Sequence, residues 1–311
     1  MSTGIFLSYK GLGTNILHLP YCHEIAKKYG PVEIITLSDN FKDVVEGDPL
    51  IKKVICLSKY YKKITDIINL SKVLKQHNYS DFFNFYPSVR LLFAARFAGI
   101  KNIFSYPVFK KKNLHLVETA KKFIEKNLNI ENCPTETSLF IDKNKKEMAN
   151  TYLSKNKKNI IIGAGSSGPT TKWGELNYIN LIKELQKRHE CYFFILGGAD
   201  EKKIIDRIVH EVGEQCSTSL ANKKVKEITP IIAGSDIYIG NDSFGQHIAC
   251  QSGKPSIVLL LDTPSAYSEY SKNQHQIAPD GVSIKDISHD SSFDPNLIKM
   301  ETVLNKALEH L

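Results

Sequence analysis

Short, nearly continuous apolar runs alternate along this chain with longer stretches in which apolar residues recur every three or four positions. The runs "GIFLSY" (4–9), "VEIITL" (32–37), "IKKVICL" (51–57), "SDFFNFY" (80–86) and "IKNIFSY" (100–106) predict strands. The helical period appears between them in residues 16–30, 64–78, 89–99 and 114–129, with Gly30 as a C-terminal stop. Over residues 131–158 the pattern breaks into polar, lysine-rich sequence around Pro134, with a surface helix expected in the lysine-rich piece. It then restarts. Strands are predicted at 159–165, 191–198, 236–241 and 254–261, and helices at 175–189, 201–213 and 295–311, with a short strand and helix within 217–235. Buried strands alternating with helices imply parallel sheets covered on both faces. The expected organisation is two α/β domains, doubly wound and Rossmann-like, spanning 1–150 and 151–311. Their strand ends face a shared cleft, and the last helix packs back on the first domain.

Composition narrows the class. Apolar residues make up 42% and charged residues 24% of 311, which are globular values. No uncharged apolar run reaches the roughly eighteen residues of a membrane span, and the N-terminus reads as a first strand, not a signal peptide. Six cysteines without a C-x-x-C pair fit a reduced cytosolic chain. The net charge of +8 suits nucleic acid, an anionic membrane surface or a phosphorylated substrate. It equally suits a composition rich in Lys, Asn and Ile, with lysines spread along the chain. No zinc-finger spacing or RNP-type aromatic pattern is present, so no nucleic-acid partner is expected.

Three junctions place polar residues where a strand would end and a helix begin. In "KGLGTNILHLP" (10–20), Gly11 and Gly13 would allow a tight turn and close approach of a ligand, or form a plain turn. In "GAGSSGPTTKWGE" (163–175), small residues expose backbone N–H groups, Ser167, Thr170 and Thr171 add hydroxyls, and Lys172 adds charge, an anion-binding combination. Trp173, the sole tryptophan, reads as a core anchor. The Walker pattern is absent. In "GNDSFGQHIACQSGKPSIVL" (240–259), Asp242, Ser243 and His247 surround a helix start that would meet a phosphorylated ligand. Asp242 also reads as an N-cap and His247 as a helix residue packed under the loop.

The first and last of these junctions, with "YSDFFNFYPSVRLLFAARFAGIKN" (79–102) and "TTKWGELNYINLIKEL" (170–185), resemble the four sequence blocks of the heptosyltransferase family (glycosyltransferase family 9) in family order. The resemblance implies the GT-B fold of two facing Rossmann-like domains. It implies inverting transfer of a sugar from a nucleotide-sugar, typically ADP-heptose, to an anionic glycolipid of the lipopolysaccharide core. The donor would be held by Gly13, Ser167, Gly168, Thr171, Lys172, Asp242, Ser243, Phe244, Gly245 and His247. Fixed positive groups would stabilise the leaving diphosphate. No D-x-D pair occurs, which agrees with a site needing neither metal nor cofactor. The expected protein is a bacterial, cytoplasmic monomer, peripheral to the inner membrane.

The chain departs from the family pattern at three places. The position of the family's catalytic Asp is Thr14, followed by Asn15, and neither is a base at neutral pH. Phe244 replaces a glycine, with Gly245 one place later. Lys172 directly precedes Trp173, so Thr171 competes for the lysine slot. His18 is a candidate replacement base, or a helix-face residue. Arg90 and the basic runs 59–64 and 109–115, with Lys110, Lys111 and Lys112, are candidates for an anionic acceptor, or solvated surface. The alternatives are a weak or inactive nucleotide-sugar-binding scaffold, and a GT-B transferase with another donor.

Overall fold

The computed structural model describes residues 2–57, 65–106, 116–166 and 172–311. The chain divides into two compact units, Met1–Thr137 and Ser138–Leu311. In chain order the first contains β1 (Ser2–Leu7), α1 (Leu12–Leu17), α2 (Leu19–Tyr29), β2 (Val32–Thr36), α3 (Phe41–Val44), β3 (Ile51–Cys56), α4 (Asp66–Lys75), β4 (Tyr79–Asn84), α5 (Val89–Phe97), β5 (Asn102–Ser105) and α6 (Leu116–Leu128). The second contains α7 (Lys143–Asn150), β6 (Lys158–Gly163), α8 (Glu175–Gln186), β7 (Cys191–Leu196), α9 (Lys202–Val212), β8 (Ser217–Ser219), α10 (Val225–Gly234), β9 (Ile237–Asn241), α11 (Phe244–Gln251), β10 (Ser256–Leu259), β11 (Gln274–Ile277) and α12 (Met300–Leu308).

Both sheets are parallel throughout, in the order β3-β2-β1-β4-β5 and β11-β10-β9-β6-β7-β8. The apolar runs dictate this, because β1, β2 and β6 are buried along almost their whole length and must be covered on both faces. In the first sheet the order reverses between β1 and β4, and in the second between β6 and β9. An open α/β sheet leaves a ligand crevice at such a reversal, at the carboxyl ends of the strands.

Several elements differ from expectation for local reasons. The helix expected over 16–30 is split at His18 into α1 and α2, since Pro20 supplies no N–H to continue the ladder. It does end at Gly30, whose φ of 83° suits glycine. Strand β11 escapes the pattern because "QHQI" has a single apolar residue and lies on a sheet edge. The expected terminal helix shrinks to α12, which joins the second unit's core beside α8 and β10 through Val303, Leu304 and Ala307. The lysine-rich helix α7 packs on α10, so the unit boundary falls before it, at Thr137, and not near residue 150.

Candidate functional site

In the second unit, the carboxyl ends of β6, β7 and β9 converge on a cavity of about 570 Å³. It is lined by Gly165, Ser166 and Lys172 after β6, by Gly197, Gly198 and Glu201 after β7, and by Ser243 and Phe244 after β9. The cavity therefore sits where the strand order reverses. Two glycines allow this convergence. A Cβ on Gly240 would lie 2.5 Å from the Gly163 Cα, so β6 and β9 reach their observed spacing only as glycine against glycine. A Cβ on Gly165 would lie 2.6 Å from the Gly197 Cα.

Asn241 ties the loop after β6 to β9. Its Nδ2 donates to the Ala164 carbonyl at 2.9 Å and its Oδ1 accepts from the Trp173 backbone N–H at 3.1 Å. Trp173 is wholly buried, as the anchor reading required. Its indole N–H donates to the Ile298 carbonyl at 2.9 Å, and its ring meets Tyr178 edge-on at 4.9 Å. A buried indole needs that partner. Lys172 is thus pinned at its backbone neighbour while its ammonium reaches the cavity.

Glu201, which carried no weight in the sequence, organises the lysine. Its Oε1 lies 2.6 Å from the Lys172 Nζ and accepts from the Ser166 N–H at 3.1 Å, while Oε2 accepts from the Gly198 N–H at 2.7 Å. An internal carboxylate already takes the loop N–H groups at 166 and 198. The expectation that the 163–175 loop leaves its N–H groups open to phosphate is corrected at Ser166. The only sequence signal was the pair Gly197–Gly198 closing a strand, with Glu201 three residues later in helix-capping position.

At the start of α11 the N-cap is Ser243, not Asp242: its Oγ accepts from the Gly245 N–H at 3.3 Å and lies 3.0 Å from the Tyr238 hydroxyl. Asp242 instead accepts from the Gln246 amide at 2.9 Å. Burial pushes its carboxyl up to about 7, against the lowering effect of that hydrogen bond and with a raising contribution from Asp262. Gly245 is a packing glycine, since a Cβ there would lie 2.5 Å from Leu196 Cδ2 and 2.8 Å from Tyr238 Cε2. Phe244 takes the cavity wall. His247 does not line the cavity. It is buried behind Asp242, 2.7 Å from the Tyr270 hydroxyl and stacked on that ring, and burial lowers its pKa to about 3. The reading of His247 as a donor contact is corrected to that of a neutral core residue. Ser167, Gly168, Thr170 and Thr171 lie outside the described residues.

In the first unit the residues around β1 and α1 are placed differently. Gly11 has an ordinary φ of −64°, and Gly13 is not among the left-handed glycines, so neither is required by a strained turn. Asn15 is fully buried and fully used: Nδ2 donates to the Tyr9 and Gly11 carbonyls at 3.0 and 2.7 Å, and Oδ1 accepts from the Thr36 hydroxyl at 2.6 Å. It is a structural clamp, which corrects its candidacy as a catalytic residue. His18 is fully buried against Tyr9, Tyr21 and Phe85. Its Nδ1 lies 2.7 Å from the Thr14 carbonyl, which can only accept, so the proton sits on Nδ1. Burial lowers its pKa to about 4, opposed by that hydrogen bond. His18 is therefore a neutral packing residue, which corrects its candidacy as a replacement base. Thr14 remains partly exposed. Arg90 is exposed on α5, while Lys110, Lys111, Lys112 and the whole basic run 59–64 lie outside the described residues.

Among the described residues no His, Cys, Asp or Glu cluster could hold a metal ion, and no helix is long and apolar enough to cross a membrane.

Comparison with known proteins agrees with the architecture. A glycosyltransferase family 9 protein from Veillonella parvula superposes with a TM-score of 0.78 at 18% identity, covering 99% of this chain and 96% of that one. The Escherichia coli heptosyltransferase WaaC, solved with ADP, gives 0.73 at 14% identity with both chains fully covered. In sequence, lipopolysaccharide heptosyltransferase 1 of Campylobacter coli is 24% identical over 88% of each chain. The sequence model of glycosyltransferase family 9 (heptosyltransferase) matches residues 93–295, about two thirds of the chain. With two parallel-sheet units of GT-B type and that match, the chain belongs to glycosyltransferase family 9 and is a glycosyltransferase.

Proposed function

We propose that the protein transfers a heptose, with inversion, from ADP-heptose to an anionic glycolipid of the lipopolysaccharide core. The observation that carries the donor half is the cavity at the β6/β9 reversal, where Lys172 and the start of α11 meet beside small-residue loops. In this reading Lys172 exchanges its Glu201 partner for the donor diphosphate. The α11 amino end adds its partial positive charge as the leaving group accumulates negative charge. Asp242, next in the chain to Ser243 on the cavity wall, would orient a sugar hydroxyl. Charge neutralisation falls to protein groups without a metal, in keeping with the absence of a D-x-D pair from the sequence. The named relatives support the sugar and the acceptor class, since one is a lipopolysaccharide heptosyltransferase and another was solved with ADP.

Titration calorimetry with ADP tests the donor site. Lys172→Met should weaken binding by roughly 10- to 100-fold, the loss of a charge-assisted hydrogen bond of about 1.5–3 kcal/mol. Unchanged affinity would refute the assignment. EDTA should leave transfer intact. A second reading, a binding protein with little or no turnover, is favoured by the fates of Asn15 and His18, both consumed by the fold. Donor binding without transfer to any lipopolysaccharide-core acceptor would select it.

A further inference from the structure

The first unit carries an exposed apolar face that the sugar-transfer reading does not use. Helix α5 turns Leu91, Ala94 and Ala95 inward, and presents Val89, Phe93 and Phe97 to solvent at 43%, 50% and 65% exposure. Residues four apart advance by about 40° around a helix, so the three form one stripe. Phe93 and Phe97 stack on each other at 6.2 Å. Arg90 and Arg96 flank the stripe on its two rims, both exposed, and no acidic residue lies on α5. The packed neighbour α4 adds Ile68, 58% exposed, with Lys72 and Lys75 on the same helical face. Of the two acidic residues between 65 and 101, Asp66 is buried and Asp81 is partly buried.

Charge is distributed to match. Residues 1–137 hold 20 Lys and Arg against 12 Asp and Glu, whereas residues 138–311 hold 21 of each. The whole net charge of +8 therefore belongs to the unit that carries the stripe, in contrast to the even spread suggested by the sequence.

We propose that α5, with the adjoining edge of α4, is a membrane-docking face that seats Phe93, Phe97, Val89 and Ile68 in the interface of an anionic bilayer. An interfacial helix needs an apolar stripe and cationic rims whose stems bury while their heads reach phosphate, and α5 supplies both. Anionic lipid supplies the charge complement to the lysine and arginine surround. A second copy of this chain fits less well, since a two-fold pairing of this face would set arginine against arginine.

The test uses the full-length protein and co-sedimentation with vesicles of phosphatidylcholine alone or with one third phosphatidylglycerol. No donor or glycolipid acceptor is present, so the result stands apart from the transferase reading. The wild type should bind the anionic vesicles, with affinity falling as salt rises, and bind the neutral ones weakly. The Phe93→Ser/Phe97→Ser variant should lose roughly tenfold or more of that binding, with unchanged circular dichroism and an unchanged melting curve. If the double variant folds poorly, Phe97→Ser alone, at the most exposed position, should show a smaller loss of the same sign. Arg90→Gln/Arg96→Gln should lower anionic binding and flatten its salt dependence. The proposal is overturned if the wild type ignores anionic vesicles or if folded serine variants bind as the wild type does. It is equally overturned if the wild type is a dimer that the serine substitutions convert to monomer.

Discussion

Asp242→Asn should stabilise the second unit at alkaline pH and cost it about 1 kcal/mol in acid. Burial raises the carboxyl from 3.8 to about 7. At about 1.36 kcal/mol per pKa unit, three units correspond to about 4 kcal/mol. The sign follows from proton binding. Between pH 4 and 7 the native carboxyl keeps a proton that the unfolded chain releases, so stability falls as pH rises through that window and stays low above it. His247 acts in the opposite sense. Its folded value of about 3 lies below 6.5, so the unfolded chain gains the proton first and stability falls as pH drops below 6.5. The wild-type profile therefore mixes two opposed slopes, and the difference between variant and wild type isolates Asp242. Asparagine retains a carbonyl oxygen to accept the Gln246 amide. Its new N–H2 group costs about 1 kcal/mol if unpaired, leaving a net gain of about 3 kcal/mol above pH 7. Urea unfolding read by tryptophan fluorescence is the assay, because the sole tryptophan, Trp173, is buried in this unit. An equal gap at pH 4.5 and pH 8, or a variant less stable at both, would refute the electrostatic reasoning.

Gly240→Ala should destabilise the same unit by about 3 kcal/mol, since its Cβ meets the Gly163 backbone, which has no free rotamer; fluorescence-detected unfolding within 0.5 kcal/mol of wild type contradicts this. Lys172→Met should shift the melting temperature very little, as the pair with Glu201 is partly exposed, even while ADP affinity drops. A large thermal loss would make Lys172 a structural residue. Thr14→Asp should raise turnover with ADP-heptose at least tenfold, toward the 10²–10⁴ that a positioned base contributes, and unaltered kcat would show that the base lies elsewhere.

How much of this was legible depends on sequence distance. Strands and helices were readable because burial on both sheet faces forces long apolar runs, and Trp173 was readable as an anchor because a lone indole beside a loop has little else to do. Strand β11 was not readable, since its pairing with β10 comes from backbone hydrogen bonds that "QHQI" does not announce. Glu201 was invisible for a related reason. Its partners Ser166, Lys172 and Gly198 come from two loops joined only by the parallel register of β6 with β7. His247 and Asp242 were placed in the right neighbourhood with partly wrong roles. Hydrogen-bond direction and depth decide those roles, and both depend on Tyr270 and Gln246 in the folded chain.

The two units treat their polar junction residues in opposite ways, and this narrows the catalytic question. After β6, β7 and β9, Lys172, Glu201 and Ser243 end at the wall of a cavity, where a ligand can compete for their hydrogen bonds. After β1, Asn15 is saturated by three bonds and His18 is sealed among Tyr9, Tyr21 and Phe85. Freeing Asn15 would break its three hydrogen bonds to Tyr9, Gly11 and Thr36, at about 0.5–1.5 kcal/mol each. Protonating His18 would place a charge in an apolar cage, which its lowered pKa already registers as unfavourable. Neither can serve chemistry without dismantling the turn that carries Thr14. Of the three polar residues in α1 and its cap, only Thr14 keeps a side chain at the surface. Under the proposed transfer, the acceptor hydroxyl loses its proton to a group beyond this helix or at position 14.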